Sequence, residues 1–322
     1  MPANTKEIGG YFEFERFSGK EYHEGALALN CARSCAAYVI EARGIKTLWT
    51  PWYLCVSVDR LCDQLGVEVK HFSIKPDFTP DFETFSVADD EYLYLVDYYG
   101  QLTDDQIRDA AGRAGGRIIV DEVMAFFRKP VDGLDTLNSC RKFFGVADGA
   151  YLYTDARLDR ELPLDESRDR MDFVLGRCER PANDFYQRSA ENNVFFKDEP
   201  IKRMSPITQN ILRGVDYDEV AARRRANFEA LAAELGDLNE LTPRATDGAF
   251  MYPLLIEGGA AIRKKLQQQK IYVSMLWGRD PMPGGIDGRY ASDILPMVCD
   301  QRYSIEDMKY EAEALRAILS EQ

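Results

Sequence analysis

From residue 26 to about residue 153, short apolar runs alternate with stretches of helical period. Ala26-Leu27-Ala28-Leu29 reads as a strand, and Asn30 is placed to cap a helix running to Arg43, where Gly44 supplies the stop. Residues 46–50 form a second apolar run, halted at Pro51, and residues 67–74 and 92–96 read as a third and fourth strand. Thr103-Asp104-Asp105-Gln106 has the capping-box form that opens a helix to about Ala114. Gly115-Gly116 then turn the chain into a β-branched run, 117–120, that ends at Asp121, and residues 150–153 give another strand. Strands alternating with helices at this spacing predict parallel pairing in a doubly wound α/β sheet. Such sheets bind ligands at the C-terminal ends of their strands, where Asn30, Pro51, Asp97 and Asp121 all fall.

The second half changes character. Residues 165–180 and 216–235 read as long amphipathic helices; Asp216 with Glu219 caps the second, and Val220, Phe228, Leu231 and Leu235 form its apolar stripe. Residues 249–256 read as a strand, 260–269 as a helix, 271–276 as a strand and 280–285 as a loop. Ser304 caps a last helix with Met308, Ala312, Leu315 and Leu319 inward. A boundary near Gly214 divides the chain into a large domain, 1–214, and a smaller one, 215–322. A length of 322 residues suits that division.

Composition narrows the function. The hydrophobic share of 45% supports a sizeable core, and the net charge of −14 repels nucleic-acid backbones and anionic lipid. No apolar run reaches the roughly 18 residues of a membrane helix, and Met1 to Gly10 lacks a signal-peptide core, so the expected compartment is the cytoplasm. Seven cysteines, an odd number without CxxC spacing, predict reduced and mostly buried thiols. Only two histidines, His23 and His71, leave little material for a metal cluster or a Ser-His-Asp triad, and no metal site is expected.

Four pieces carry candidate chemistry. Asn30-Cys31-Ala32-Arg33-Ser34 stands at a strand-to-helix turn, where free backbone N–H groups and the helix dipole favour a phosphate. Asp121, at the tip of a buried strand, needs a cationic partner, and a protonated pyridine nitrogen would serve. Ser139-Cys140-Arg141-Lys142 offers an amine able to form a Schiff base once desolvation or a neighbouring cation lowers its pKa, with a serine three residues earlier for the same cofactor's phosphate. Gly145 and Asp148-Gly149 form a tight turn back into the sheet. Taken singly, each has an ordinary reading: a capped helix, a strand-end turn, a solvated lysine and a simple loop.

Taken in order, they are similar to fold-type-I enzymes of pyridoxal 5'-phosphate (PLP), and more narrowly resemble the DegT/StrS family of sugar aminotransferases. Further matches are Pro51-Trp52-Tyr53 after an apolar strand, Tyr99-Gly100 at the end of a later one, Arg203-Met204-Ser205 before a helix and Leu295-Pro296 near the C-terminus. Three positions depart from the family: Arg33 where it usually has Thr in the phosphate turn, Met124 where it has Gln or His, and Ile201 or Lys202 where it has an Asn that reaches the neighbouring subunit's phosphate. Asn192-Asn193 are candidates for that missing donor.

The resemblance implies an aspartate-aminotransferase-like α/β fold, a large domain with a mixed, mostly parallel sheet between helices plus a smaller α+β domain. It implies PLP held by Lys142, with Asp121 on the ring nitrogen, Val123 against one ring face and Tyr53 against the other, Trp52 close behind. Ala32 and Arg33 then offer backbone N–H groups to the phosphate, joined by the hydroxyls of Ser34 and Ser139. The implied partners are a small-molecule amino donor, glutamate, and a keto acceptor of the keto-sugar class, in a homodimer with shared active sites. Rival readings are a PLP lyase, dehydratase or racemase and a non-catalytic binding subunit; dehydratase relatives carry His at the position of Lys142. A carboxylate-pair hydrolase using Asp121 and Glu122 is disfavoured, because adjacent strand residues point to opposite faces.

Overall fold

A computed structural model describes residues 8–277 and 283–321. Seven strands form the main sheet: β1 (Leu27–Leu29), β2 (Thr47–Pro51), β3 (Glu68–Phe72), β4 (Tyr92–Val96), β5 (Ile118–Asp121), β6 (Asp135–Ser139) and β7 (Ala150–Tyr153), in the spatial order β1-β7-β6-β5-β4-β2-β3. The pairs from β3 through β6 are parallel, and β7 is antiparallel to both neighbours. The sheet is mixed and mostly parallel, as expected. Its centre is buried on both sides, which is why β5 reads as an unbroken apolar run up to Asp121.

Helices α1 (Ala32–Arg43), α2 (Val56–Leu65) and α3 (Asp104–Arg113) connect the parallel strands. Gly44 and Gly66 close α1 and α2 in the left-handed conformation, and the Thr103–Gln106 capping box opens α3. After β7 come α4 (Asp172–Glu179), α5 (Tyr186–Phe195) and α6 (Pro206–Leu212). A long helix, α7 (Tyr217–Leu235), then leads to a second layer: α8 (Gly259–Gln268), α9 (Gly285–Asp293) and α10 (Ile305–Ser320) around the antiparallel pair β8 (Tyr252–Leu255) and β9 (Ile294–Met297). Phe228, Leu231 and Leu235 of α7 pack there with Leu254, Leu295, Met308 and Leu315 as a core separate from that of the main sheet.

Four local readings are corrected. Asn30 does not cap α1: the N-cap is Cys31, which supplies no side-chain hydrogen bond. The segment 165–180 is not one helix, because its start is tied elsewhere: Asp165 N donates to Arg203 O and the Ser167 and Ser205 hydroxyls lie 2.7 Å apart, so only a short 3-10 turn precedes α4. Residues 271–276 form no strand; β8 pairs with β9, and Tyr272 and Met275 stay exposed. In the expected loop 280–285, residues 280–282 lie outside the described residues, and Gly285 begins α9.

All seven cysteines are unpaired, five of them buried. Among the described residues no helix is long and apolar enough to cross a membrane, and no metal-ligating cluster is present.

Candidate active site

Strand register places the candidate groups along one edge of the sheet. Ala150 of β7 pairs with Ser139 on one side and with Leu29 on the other, so the turn into α1 and the turn carrying Lys142 leave the sheet in the same row. Two strand spacings, roughly 10 Å, separate them. Asp121 ends β5 next door, paired with Val96 and Leu137.

Asp148-Gly149 fixes this arrangement. Gly149 N donates to Asn30 O at 2.6 Å, and Cys140 N donates to Gly149 O at 3.1 Å, which stitches the two turns together. Gly149 has φ +115°, and an added Cβ would sit 2.9 Å from the Thr208 methyl, so only glycine fits. The buried Asp148 carboxylate accepts from Ser205 N and Oγ and from Thr208 Oγ1, fastening the start of α6 beneath the turns. Arg203-Met204-Ser205 continues the same seam, with Met204 N donating to Ala28 O.

Asp121 is 5% exposed. Its Oδ2 accepts from the Tyr94 hydroxyl at 2.7 Å and its Oδ1 from Val123 N at 2.9 Å. Burial raises its pKa, opposed by Tyr94, Val123 and the positive charge of Lys142. A carboxylate so placed retains lone pairs for a further donor and gains from a cation. Glu122 turns the other way, toward Arg128 at 3.4 Å, so these two carboxylates do not share a site.

The Lys142 side chain is reachable by solvent, yet surrounding protein crowds it enough to strip much of its hydration. That desolvation lowers its pKa; Arg141 pushes the same way, while Cys55 and Asp121 oppose it. Its Nζ lies 5.6 Å from the centre of the Phe250 ring, contributed by the second layer, and has no hydrogen-bond or salt-bridge partner among the described residues. Ser139, Arg141 and Lys142 line a cavity of about 310 Å³ whose other walls include Phe173, Ser189 and Asn193. The Ser139 hydroxyl has no hydrogen-bond partner among the described residues. The Lys142 and Asp121 charges act on each other, each favouring the other's ionised form.

The remaining expectations divide. Ala32, Arg33 and Ser34 occupy the uncapped first turn of α1, though the Ser34 hydroxyl already contacts Cys31 Sγ at 3.3 Å. Val123 lies beside Asp121, half-buried. Tyr53 is 1% exposed, stacked on Tyr98 at 5.2 Å and met edge-on by Trp277 at 4.9 Å, so it has no open face for a ligand. Trp52 is likewise engaged, with His71 at 4.1 Å. Met124 is buried and takes the Tyr99 N–H at 3.5 Å through sulfur, in a turn where Tyr99 has φ +57°. Asn192 is committed to Ala147 O and Arg170.

Sequence reasoning missed three contributors. Tyr94, two residues inside β4, was legible only as core. Phe250 comes from the far end of the chain. Arg141 was quoted in the lysine motif without a role, although a cation adjoining the lysine is itself a signal.

No protein-family model matches the sequence, and no curated protein matches it. Solved structures do. A DegT DnrJ EryC1 StrS aminotransferase from Brucella abortus superposes with a TM-score of 0.63 at 14% identity, covering 92% of this chain and 86% of that one. DesV from S. venezuelae, in complex with a ketimine intermediate, gives 0.65 at 16% identity, covering 91% and 84%. The sugar aminotransferase CalS13 from Micromonospora echinospora gives 0.64 at 14%, covering 91% and 87%. With the sheet order, the helical layers and the smaller second layer, these likenesses show that the chain has the fold-type-I aminotransferase architecture.

Proposed function

We propose that this chain is a PLP-dependent aminotransferase that passes an amino group from an amino acid, glutamate by resemblance, to a keto-sugar or related keto compound. The observation that carries this reading is the placement of a buried strand-end acid, Asp121, and of Lys142, an amine beside a cavity, at neighbouring strand ends along one edge of the sheet. The structural neighbours support it: CalS13 is a sugar aminotransferase, and DesV was solved in complex with a ketimine intermediate.

The residues suit the cofactor. When bound, PLP supplies an aldehyde and an electron-withdrawing ring that acidifies the substrate α-carbon. Lys142 Nζ is the amine that would hold the aldehyde, and its lowered pKa leaves it free base more often, able to move a proton at the α-carbon. Asp121 would keep the ring nitrogen protonated. Val123 would pack against the ring, and the N–H groups of Ala32 and Arg33 with the Ser139 hydroxyl would receive the phosphate.

We further propose a cytoplasmic homodimer with shared sites, and a domain boundary near Gly214. Tyr11, Phe12 and Phe14 support the dimer, at 98%, 99% and 57% exposed. One observation favours a non-catalytic subunit instead: Met124 brings no strong hydrogen-bonding group to the place where the family has Gln or His. The deciding experiment loads the protein with pyridoxamine phosphate and offers a panel of keto acids and nucleotide keto-sugars. Return of the aldehyde absorbance with a nucleotide keto-sugar identifies the acceptor, and return with a keto acid identifies the amino donor from which that acid derives; no return with any, from a protein that holds the cofactor, rules out transamination.

A further inference from the structure

The sequence carries 54 acidic residues, yet two guanidinium groups at this site have none as a partner. Arg141 Nη2 donates to Asn193 Oδ1, and its guanidinium lies 4.6 Å from the centre of the Phe196 ring. Arg33 Nη2 donates to the backbone oxygen of the same Asn193 at 3.3 Å. Neither arginine makes a salt bridge among the described residues, although most of the other arginines do. Two like charges meeting on one neutral residue repel each other. Crowding by protein, Arg33 and Arg170 together lower the Arg141 pKa to about 10, against the pull of Cys31 and Asp148. Two half-buried cations held this close to each other are costly unless an anion neutralises them.

Three features place that anion. Arg141 and Asn193 line the cavity that also contains Ser139 and Lys142. Arg33 lies in the first turn of α1, whose N-cap gives no side-chain hydrogen bond, so its leading N–H groups remain available. Asn30, just before that turn, is fully buried with both side-chain polar atoms unpartnered.

We propose that Arg33 and Arg141 form a guanidinium clamp for the dianion of a phosphate monoester, with Asn193 as the placeholder that occupies their donors until the anion takes them over. Within the reading above, on which this inference rests, the monoester is the phosphate of PLP. The clamp replaces the Thr that the resemblance leads one to expect at Arg33 and the Asn, reaching across from a neighbouring subunit, that it leads one to expect at Ile201 or Lys202. Guanidinium groups suit this task because charge-assisted bonds to phosphate are about twice as strong as neutral ones. It also gives α5, which ends at Phe195, a reason to lie over the lysine turn: Asn193 is its contact with both arginines.

The test compares wild type with Arg33→Gln, Arg141→Gln and Arg141→Lys. Each is titrated with PLP and with pyridoxal, which lacks the phosphate, by absorbance, and with inorganic phosphate by calorimetry. The clamp predicts that either Gln substitution lowers the preference for PLP over pyridoxal by about tenfold or more. Affinity for pyridoxal stays unchanged in Arg33→Gln, any shift of the Lys142 titration in Arg141→Gln acts on both aldehydes alike and drops out of the preference, inorganic phosphate binding weakens in parallel in both Gln variants, and Arg141→Lys recovers part of the loss. An unchanged preference in the folded Gln variants overturns the clamp and leaves the cofactor assignment standing. Should wild type bind neither aldehyde, the cofactor assignment fails, and the phosphate titration alone decides: phosphate bound by wild type and lost in the Gln variants supports the clamp, and any other pattern overturns it.

Discussion

At the residue scale, the chemistry turns on how one amine is tuned. The Asp121 carboxylate stabilises the ammonium form of Lys142, and the Arg141 guanidinium destabilises it. The signs are opposite, so two substitutions separate them. Asp121→Asn removes an anion and moves the Lys142 titration to lower pH; Arg141→Gln removes a cation and moves it to higher pH. The pH dependence of Lys142 acylation by a small amine-reactive reagent, read by peptide mass spectrometry, reports both midpoints. Shifts in the same direction in the two variants contradict this electrostatic picture. The sequence carried the motif that contains both Arg141 and Lys142, and strand patterning placed Asp121 at a strand end. What it did not carry was Tyr94 on the carboxylate or Phe250 over the amine, because both contacts depend on how distant segments pack. Tyr53 shows the same dependence on distant packing: the resemblance implies an aromatic against the cofactor ring, and here Tyr98, Trp277 and Tyr290 enclose its own ring.

At the element scale, the site is a row of strand ends held in register by the turn before β7. Gly149 accepts from one turn, donates to the other and leaves no room for a side chain. Gly149→Ala is expected to cost roughly 2–4 kcal/mol, from the positive φ and the clash with Thr208 together. Chemical denaturation measures this, and a loss below about 0.5 kcal/mol, within the range of ordinary surface substitutions, contradicts the assigned role. Most elements were legible in the sequence because their signals are local: the β-branched run of β5, the capping box of α3, the Ser304 cap of α10 and the glycine stop of α1. The failures share a cause. Residues 165–180 have helical periodicity, but hydrogen bonds to Arg203 and Ser205 hold their first residues out of the helix. Residues 271–276 have the composition of a strand but, among the described residues, no strand to pair with.

At the scale of the whole molecule, two cores meet at the lysine turn. Arg224, 2% exposed on α7, donates to the carbonyls of Ala249 and Phe250 at 2.9 and 3.3 Å and to Phe143 O at 3.4 Å, immediately after Lys142. These bonds hold Phe250 beside the lysine turn, 5.6 Å from Lys142 Nζ. The opposite requirement, a partner for the exposed aromatics of residues 11–14, supports association with a second copy. Tyr11→Ser with Phe12→Ser should shift a dimer toward monomer in sedimentation, and an unchanged dimer would show that its interface lies elsewhere. The central claim remains the covalent one, that Lys142 holds the PLP aldehyde while Asp121 faces the ring nitrogen. Reduction of the PLP-loaded protein with borohydride, followed by peptide mass spectrometry, tests it most directly. The account predicts a single phosphopyridoxyl group per chain, on the peptide containing Lys142 and absent from Lys142→Ala. A label scattered over surface lysines, or retained in full by Lys142→Ala, contradicts it.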